Sequence, residues 1–176
     1  MAETRITPQE ILLPVRAGFI VLSLTAALLL NLLPWSGAWL WIKPDFVALV
    51  VLYWCIEQPR KVGFVTAWMM GLLMDVADGT LLGQHALAYS ILAYAGIVLH
   101  RRVRMFSGTP QVLHIVLLLL MNDLIVLGIR LMAGADFPGL QYFIGSFVAA
   151  ALWLPLGALL RLPQRPKLDP DHFLSP

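Results

Sequence analysis

The sequence predicts an all-α integral membrane protein in which six helices cross the bilayer as one bundle. Two observations lead to this prediction: an apolar composition, and a regular alternation of apolar runs with short charged segments. The chain has 176 residues, of which 60% are hydrophobic and 12% are charged, and its mean hydropathy is +0.82. Soluble domains are about half apolar and roughly one quarter charged. The composition therefore places the chain among membrane proteins.

Six apolar runs are candidate membrane spans, because a helix of about 20 apolar residues crosses the hydrocarbon core of a bilayer. The first run and the last two reach this length, whereas the middle three are shorter and contain polar residues. A short run can still span where the bilayer thins around it. In chain order, the predicted spans are 15–33, 44–57, 62–78, 82–100, 111–133 and 140–160.

The segments between the runs carry charges, prolines or glycines, which commonly end helices. Lys43-Pro44-Asp45 opens the second run, where a proline suits the first helical turn and an acid favours the helix N-terminus. A tight charged turn at 57–61 separates the second run from the third. Gly79 and Gly83 follow the third run, and the basic segment 101–104 follows the fourth.

These runs predict one domain with short ends. Residues 1–14 are expected to be a short cytoplasmic N-terminus, 15–161 the six-span transmembrane domain, and 162–176 a Pro-rich cytoplasmic tail that is disordered. A cleaved signal peptide over 1–38 is the alternative for the first span. Its apolar run of about 17 residues exceeds the usual 7–15 of a signal, which favours an uncleaved span.

Lys and Arg orient the predicted spans, because cytoplasmic segments of membrane proteins are enriched in these residues. With six spans and a cytoplasmic N-terminus, only Lys43 and Arg130 lie toward the outside. Omitting any one middle span would separate the segment 101–104 from the basic residues near one terminus. We therefore predict that both termini are cytoplasmic. The ten basic residues then inside are Arg5, Arg16, Arg60, Lys61, Arg101, Arg102, Arg104, Arg161, Arg165 and Lys167.

A polar cluster is predicted in the interior of the bundle. A rise of about 1.5 Å per residue places the acids of spans three and five roughly 18–21 Å from the cytoplasmic ends of those spans. Ionisable residues at such depth are costly and indicate functional or partner contacts. We expect the two acids to pair with Arg130, with Lys43 or with backbone amides. The cluster consists of Asp75, Asn122, Asp123 and Arg130.

A second group of charges, Lys43, Asp45 and Asp78, is predicted at the outer rim of the bundle. An interfacial position stays open for Asp75 as well, in which case it ends span three in water together with Asp78. A third set is predicted to pack helices, because small residues four or eight positions apart permit close helix approach. This set, Gly71, Gly79 and Gly83, could serve packing within the bundle or a partner's transmembrane helix.

No motif for catalysis, metal binding or nucleotide binding occurs in the sequence. The single cysteine, Cys55, lies in an apolar run and is predicted to be a buried hydrophobic residue. The scattered histidines predict no metal site. The orientation of the spans accounts for the basic segment 101–104, so that segment predicts no nucleic-acid partner. We expect no cofactor and no enzymatic activity.

The order and spacing of several motifs resemble the rod-shape-determining protein MreD family. The most specific motif is Gly-x-x-x-Asp-x-x-x-Gly-x-x-x-Gly at 71–83. The resemblance covers nearly all of residues 17–160. Its other elements are, in chain order, Pro34-Trp35, Lys43-Pro44-Asp45, Leu52-Tyr53-Trp54, Pro59-Arg60, Asp123, and Leu152-Trp153 with Pro155.

This resemblance implies a component of the cell-elongation machinery in the bacterial inner membrane. Proteins of the family act with MreC, a single-span protein, and with the actin-like MreB filament. The same complex includes the glycosyltransferase RodA and a penicillin-binding transpeptidase. In fold, the family is similar to the substrate-binding subunits of energy-coupling-factor transporters. It has no settled catalytic residues, so only the recurrent polar positions, Asp75 and Asp123, carry over to this chain.

The sequence thus favours a non-enzymatic scaffold that maintains cell shape. With short loops, such a protein meets its partners through helix surfaces and through the basic segment 101–104, which could also contact anionic membrane lipids. The alternative is a small-molecule binding or transport subunit. Its polar intramembrane cavity would be lined by Asp75, Asn122 and Asp123.

Overall fold

The computed structural model describes residues 15–37, 42–106 and 108–164. Within these ranges the chain forms six α-helices and no β-strand, which confirms the predicted all-helical fold with six helices. The predicted N-terminus 1–14 and residues 165–176 of the predicted tail lie outside the described residues. The helices are α1 Ala17–Leu32, α2 Phe46–Glu57, α3 Phe64–Ala77, α4 Gln84–Met105, α5 Thr109–Met132 and α6 Ile144–Arg161, with short 3-10 helices at Leu140–Phe143 and Leu162–Gln164.

Helix α2 lies at the centre of the bundle and contacts each of the other five helices. All of its residues from 47 to 56 are buried, because the helix has no charged residue before Glu57 and therefore no polar face. Its 12 residues extend about 18 Å at 1.5 Å per residue, which is less than the roughly 30 Å of a hydrocarbon core. The ends of α2 therefore need polar partners inside the protein for their unpaired backbone groups.

The outer surface of the bundle is apolar. Large hydrophobic side chains such as Leu22, Val76, Tyr94 and Leu117 are 59–70% exposed, whereas soluble proteins rarely expose large contiguous apolar patches. Length and composition make two helical segments, Thr109–Met132 and Leu140–Gln164, suitable for crossing a membrane. Helices α1, α2 and α3 are apolar but shorter. An apolar exterior around a partly polar interior suits a lipid environment.

The two ends of the bundle differ in chemistry. Where α2 ends, Arg161 Nη2 of α6 donates a hydrogen bond to Glu57 Oε1 at 2.9 Å. In the loop after α2, Lys61 Nζ donates to the carbonyl oxygen of Val15, which ties this loop to the start of α1. We call this side of the protein, near the C-terminus of α2, the basic end. The opposite side, around the N-terminus of α2, is called the polar end.

Asp75 stabilises the turn between α3 and α4. Its side chain is buried and accepts hydrogen bonds from the backbone N–H groups of Gly83, at 2.7 Å, and His85, at 2.8 Å. Its Oδ1 also lies 2.9 Å from Nδ1 of His85. The carboxylate thereby caps the first turn of α4, where backbone N–H groups lack helical partners and the helix dipole favours an acid.

Of the three predicted packing glycines, one allows close helix packing and two lie in the turn between α3 and α4. A Cβ at Gly71 would lie 2.4 Å from the Cα of Ala86, so the absent side chain is what lets α3 approach α4 this closely. Gly79 and Gly83 lie in the turn, with φ of +61° and +101° and open space where a Cβ would be. Their conformation, which glycine adopts without steric cost, accounts for the residue type at these two positions.

The cap predicts a stability difference between two neighbouring acids. Asp75→Asn replaces one accepting oxygen with an N–H₂ donor that faces backbone donors, so it should lower the free energy of unfolding by about 1–3 kcal/mol. Asp78→Asn is the matched control, because Asp78 is exposed and should change stability by less than about 0.5 kcal/mol. Thermal unfolding of both variants in detergent measures the difference. Equal losses would contradict the cap.

Candidate functional site

A cavity of about 410 Å³ lies at the polar end. All six helices, or the turns directly attached to them, contribute to its lining. Its charged groups come mainly from the segment before α2 and from the C-terminal half of α5. Six residues predicted from the sequence line it: Lys43, Asp45, Asp78, Asn122, Asp123 and Arg130. The structure therefore brings the predicted outer-rim charges together with three members of the predicted polar cluster.

Asn31 and Asp45 form the base of this cavity at the start of α2. Asn31 Oδ1 accepts a hydrogen bond from the backbone N–H of Phe46, and Asn31 Nδ2 donates to Asp45 Oδ1, both at 3.0 Å. Asp45 also caps α2 by accepting from the N–H of Ala48 at 3.0 Å, and it accepts from the hydroxyl of Tyr89 at 2.7 Å. These bonds join α1, α2 and α4 and satisfy two N–H groups of α2.

Lys43 also contacts α1 at the base of the cavity. Its Nζ donates to the carbonyl oxygen of Asn31 at 2.7 Å, in the last turn of α1, where a cation is favoured by the helix dipole. Gly145 of α6 lies against the same segment, because a Cβ there would be 2.5 Å from the carbonyl oxygen of Lys43. Helix α6 can therefore approach the chain before α2 only with glycine at this position.

Asn122 and Asp123 line the cavity from α5. The Asp123 carboxylate accepts a hydrogen bond from the hydroxyl of Ser146 on α6. Asn122 is 1% exposed, and its Oδ1 has no hydrogen-bond partner within the described residues. A buried acceptor without a donor is costly. This part of the cavity therefore has unused hydrogen-bond acceptors.

Arg130 lies farther along α5, about two turns after Asp123, and also lines the cavity. Within the described ranges, the ion pairs are those of His85 with Asp75 and of Arg161 with Glu57. Neither involves Lys43 or Arg130. The predicted pairing of Arg130 with Asp75 or Asp123 is therefore not seen in this arrangement of the chain.

Asp75 forms its hydrogen bonds at the start of α4 and not with the other predicted cluster residues. It is not part of the cavity lining, and its partners are the N–H groups and the imidazole at the start of α4. His85 links the two regions, because it contacts Asp75 and also lines the cavity. Asp75 is thus paired with backbone amides, and a single cluster of Asp75 with Asp123 stays a prediction.

Several residues that form contacts at the site were not singled out from the sequence, among them Asn31, Tyr89, Gly145 and Ser146. Asn31 is the one amide side chain in the apolar helix α1, which is the only local signal it gives. A tyrosine, a glycine and a serine within apolar helices are too common to indicate a site. Their roles depend on which faces of α4 and α6 turn toward α2.

The cavity is lined by charged, polar and apolar side chains. No group of three metal-ligating side chains occurs in the portion of the chain that the structure covers. Cys55 is buried in the core of the bundle, away from the cavity lining. The cavity offers charged and polar groups of both signs in a space within the roughly 300–1,000 Å³ typical of small-molecule sites.

Comparison with known proteins agrees with the resemblance seen in the sequence. The family described as rod shape-determining protein MreD matches residues 15–162. The chain is similar to the rod shape-determining protein MreD of Haemophilus influenzae, with 30% identity over 139 residues that cover 79% of this chain and 86% of that protein. No solved structure matches the chain significantly, so the expected similarity to energy-coupling-factor subunits stays a prediction.

The matched region contains all six helices, the α3–α4 turn and the whole lining of the cavity. Proteins of this family are membrane proteins with a role in determining rod shape. The chain belongs to the rod shape-determining protein MreD family.

Proposed function

We propose that this protein is a non-enzymatic scaffold of the cell-elongation machinery in the bacterial inner membrane. The observation that carries this proposal is the combination of family membership with an exterior made of exposed apolar side chains. The described connections between helices are short, so partners must meet the protein mainly on helix surfaces within the bilayer. A single-span MreC-like protein fits this requirement, because it can place a transmembrane helix against such a surface.

The proposed topology has six spans with both termini in the cytoplasm. The basic end, with Lys61 and Arg161, then faces the cytoplasm, in agreement with the enrichment of Lys and Arg in cytoplasmic segments. The polar end and its cavity face the outside. In this orientation the segment 101–104 reaches the cytoplasmic side, where an MreB-like filament and anionic lipids are found. RodA-like and penicillin-binding partners would join the complex through MreC or through other helix faces.

Helices α3 and α5 present matched surfaces for a partner helix. Each carries three large exposed side chains at the same i, i+4, i+11 spacing, which puts them on one face. On α3 these are Val65, Met69 and Val76, which are 53–70% exposed, and on α5 they are Leu113, Leu117 and Leu124, which are 57–59% exposed. A partner's single transmembrane helix can cover only one of these two faces. The residues on the other face therefore serve as the control.

Photo-crosslinking in cells tests the scaffold directly. A photoreactive residue placed at each of the six positions should capture an MreC-like protein from one series and leave the other uncaptured. Capture is measured by affinity purification and mass spectrometry of the crosslinked band. Failure of both series to capture any protein of the elongation machinery would contradict the proposal.

Cysteine labelling tests the proposed topology. Native Cys55 is buried, so labelling of the unsubstituted protein gives the background signal from this cysteine. Asp136→Cys, between α5 and α6, should react with a membrane-impermeant maleimide in intact spheroplasts. Arg102→Cys, at the end of α4, should react only after the membrane is opened. Both native residues are exposed, so accessibility within the protein is comparable. The reverse pattern, or equal labelling of the two positions, would refute this orientation.

A further inference from the structure

The charge balance of the cavity favours a cationic ligand. Asp45, Asp78 and Asp123 line it together with Lys43 and Arg130, so formal negative charges outnumber positive charges by three to two. The ammonium of Lys43 is already bound to the carbonyl oxygen of Asn31. Neither basic side chain forms an ion pair in the described part of the protein. The acids of the cavity are therefore not neutralised from within.

Two neighbouring residues of α5, Asn122 and Asp123, offer hydrogen-bond acceptors to the cavity. Asp45 already accepts three hydrogen bonds, so it has little left to offer a ligand. Asp123 accepts from the hydroxyl of Ser146 and lies beside the side-chain amide of Asn122, and a carboxylate has acceptor sites for about four. Beside it, Asn122 is 1% exposed, lines the cavity and has an Oδ1 without a partner among the described residues. The acceptors of Asn122 and Asp123 are therefore not fully used, whereas the cation of this helix, Arg130, lies about two turns farther along α5.

We propose that the cavity binds a primary ammonium group, with Asp123 and Asn122 of α5 as its acceptors. A primary ammonium carries three N–H donors and one positive charge. Its donors can bind the free acceptors of Asn122 and Asp123, and its charge can balance the excess negative charge of the cavity. A phosphate next to the ammonium would find positive charge at Arg130. The cavity of about 410 Å³ is large enough for such a group, and its position at the polar end places it near the membrane surface in the proposed topology.

Two sources present this chemistry: the ethanolamine headgroup of a phospholipid, and a soluble amine. Choline compounds are the matched comparison for both, because their quaternary ammonium has the same charge and no N–H donor. The full-length protein, purified in detergent, is given equal amounts of phosphatidylethanolamine and phosphatidylcholine with identical acyl chains. Native mass spectrometry then counts the lipids retained. Separate titrations compare ethanolamine with choline.

The inference predicts that phosphatidylethanolamine, or ethanolamine, binds about tenfold more tightly than its choline counterpart, as expected for charge-assisted hydrogen bonds in a buried site. Asp123→Asn should reduce this preference to about one. Asp136→Asn, the same change at an exposed position outside the lining, should leave it intact. A preference in the lipid series identifies a headgroup as the ligand, and a preference in the titrations alone identifies a soluble amine.

Ser146→Ala provides a second test that does not depend on the folding of Asp123→Asn. Removing the Ser146 hydroxyl takes away a donor that partly compensates the charge of Asp123, so the preference for the primary ammonium should rise. Equal binding of ethanolamine and choline compounds in both series would overturn the inference. A preference that survives Asp123→Asn, or that Ser146→Ala leaves unchanged, would also overturn it. Because only the purified protein is used, these outcomes are independent of whether the proposed scaffold captures a partner.

Discussion

The hydrogen bonds of Asn31 and Asp45 to the start of α2 hold the N-terminus of the central helix in place. Helix α2 contacts every other helix yet extends only about 18 Å, so its N-terminus lies inside the protein. The backbone N–H groups there lack helical partners and must find other acceptors. Asn31 and Asp45 supply them and, with Tyr89, join three helices at one point.

The cavity follows from the same constraint. Because α2 begins below the surface of the bundle, the space beyond its N-terminus is enclosed by the longer helices α4, α5 and α6. Polar residues can be placed there without facing lipid, which explains how Asn122 and Asp123 are accommodated in an otherwise apolar helix. At the opposite end, α2 is closed by the ion pair of Glu57 with Arg161. The protein thus combines an apolar exterior with a polar cavity at one end of the bundle.

The sequence predicted what depends on local pattern and missed what depends on packing. Hydropathy and charge predicted six helices, and motif spacing predicted the family. The sequence also pointed to Asn122, Asp123 and Asp45, because polar residues in apolar runs stand out. The sequence did not reveal that Asp75 caps α4, because the cap depends on how the turn between α3 and α4 brings the start of α4 to the Asp75 carboxylate. Gly79 resembles a packing glycine by spacing, yet its positive φ places it in that turn. Asn31 and Ser146 matter only because the folded helices turn them inward.

A double-mutant cycle on Asn31→Ala and Asp45→Ala tests whether these two side chains stabilise the start of α2 together. The measurement is the free energy of unfolding in mixed micelles. If the two side chains act together at the start of α2, the double variant should lose at least about 0.5 kcal/mol less than the sum of the single losses, as expected for interacting neighbours. Asp45→Ala combined with Arg161→Ala, at the opposite end of α2, should be additive. Additive losses for Asn31 and Asp45 would contradict the account.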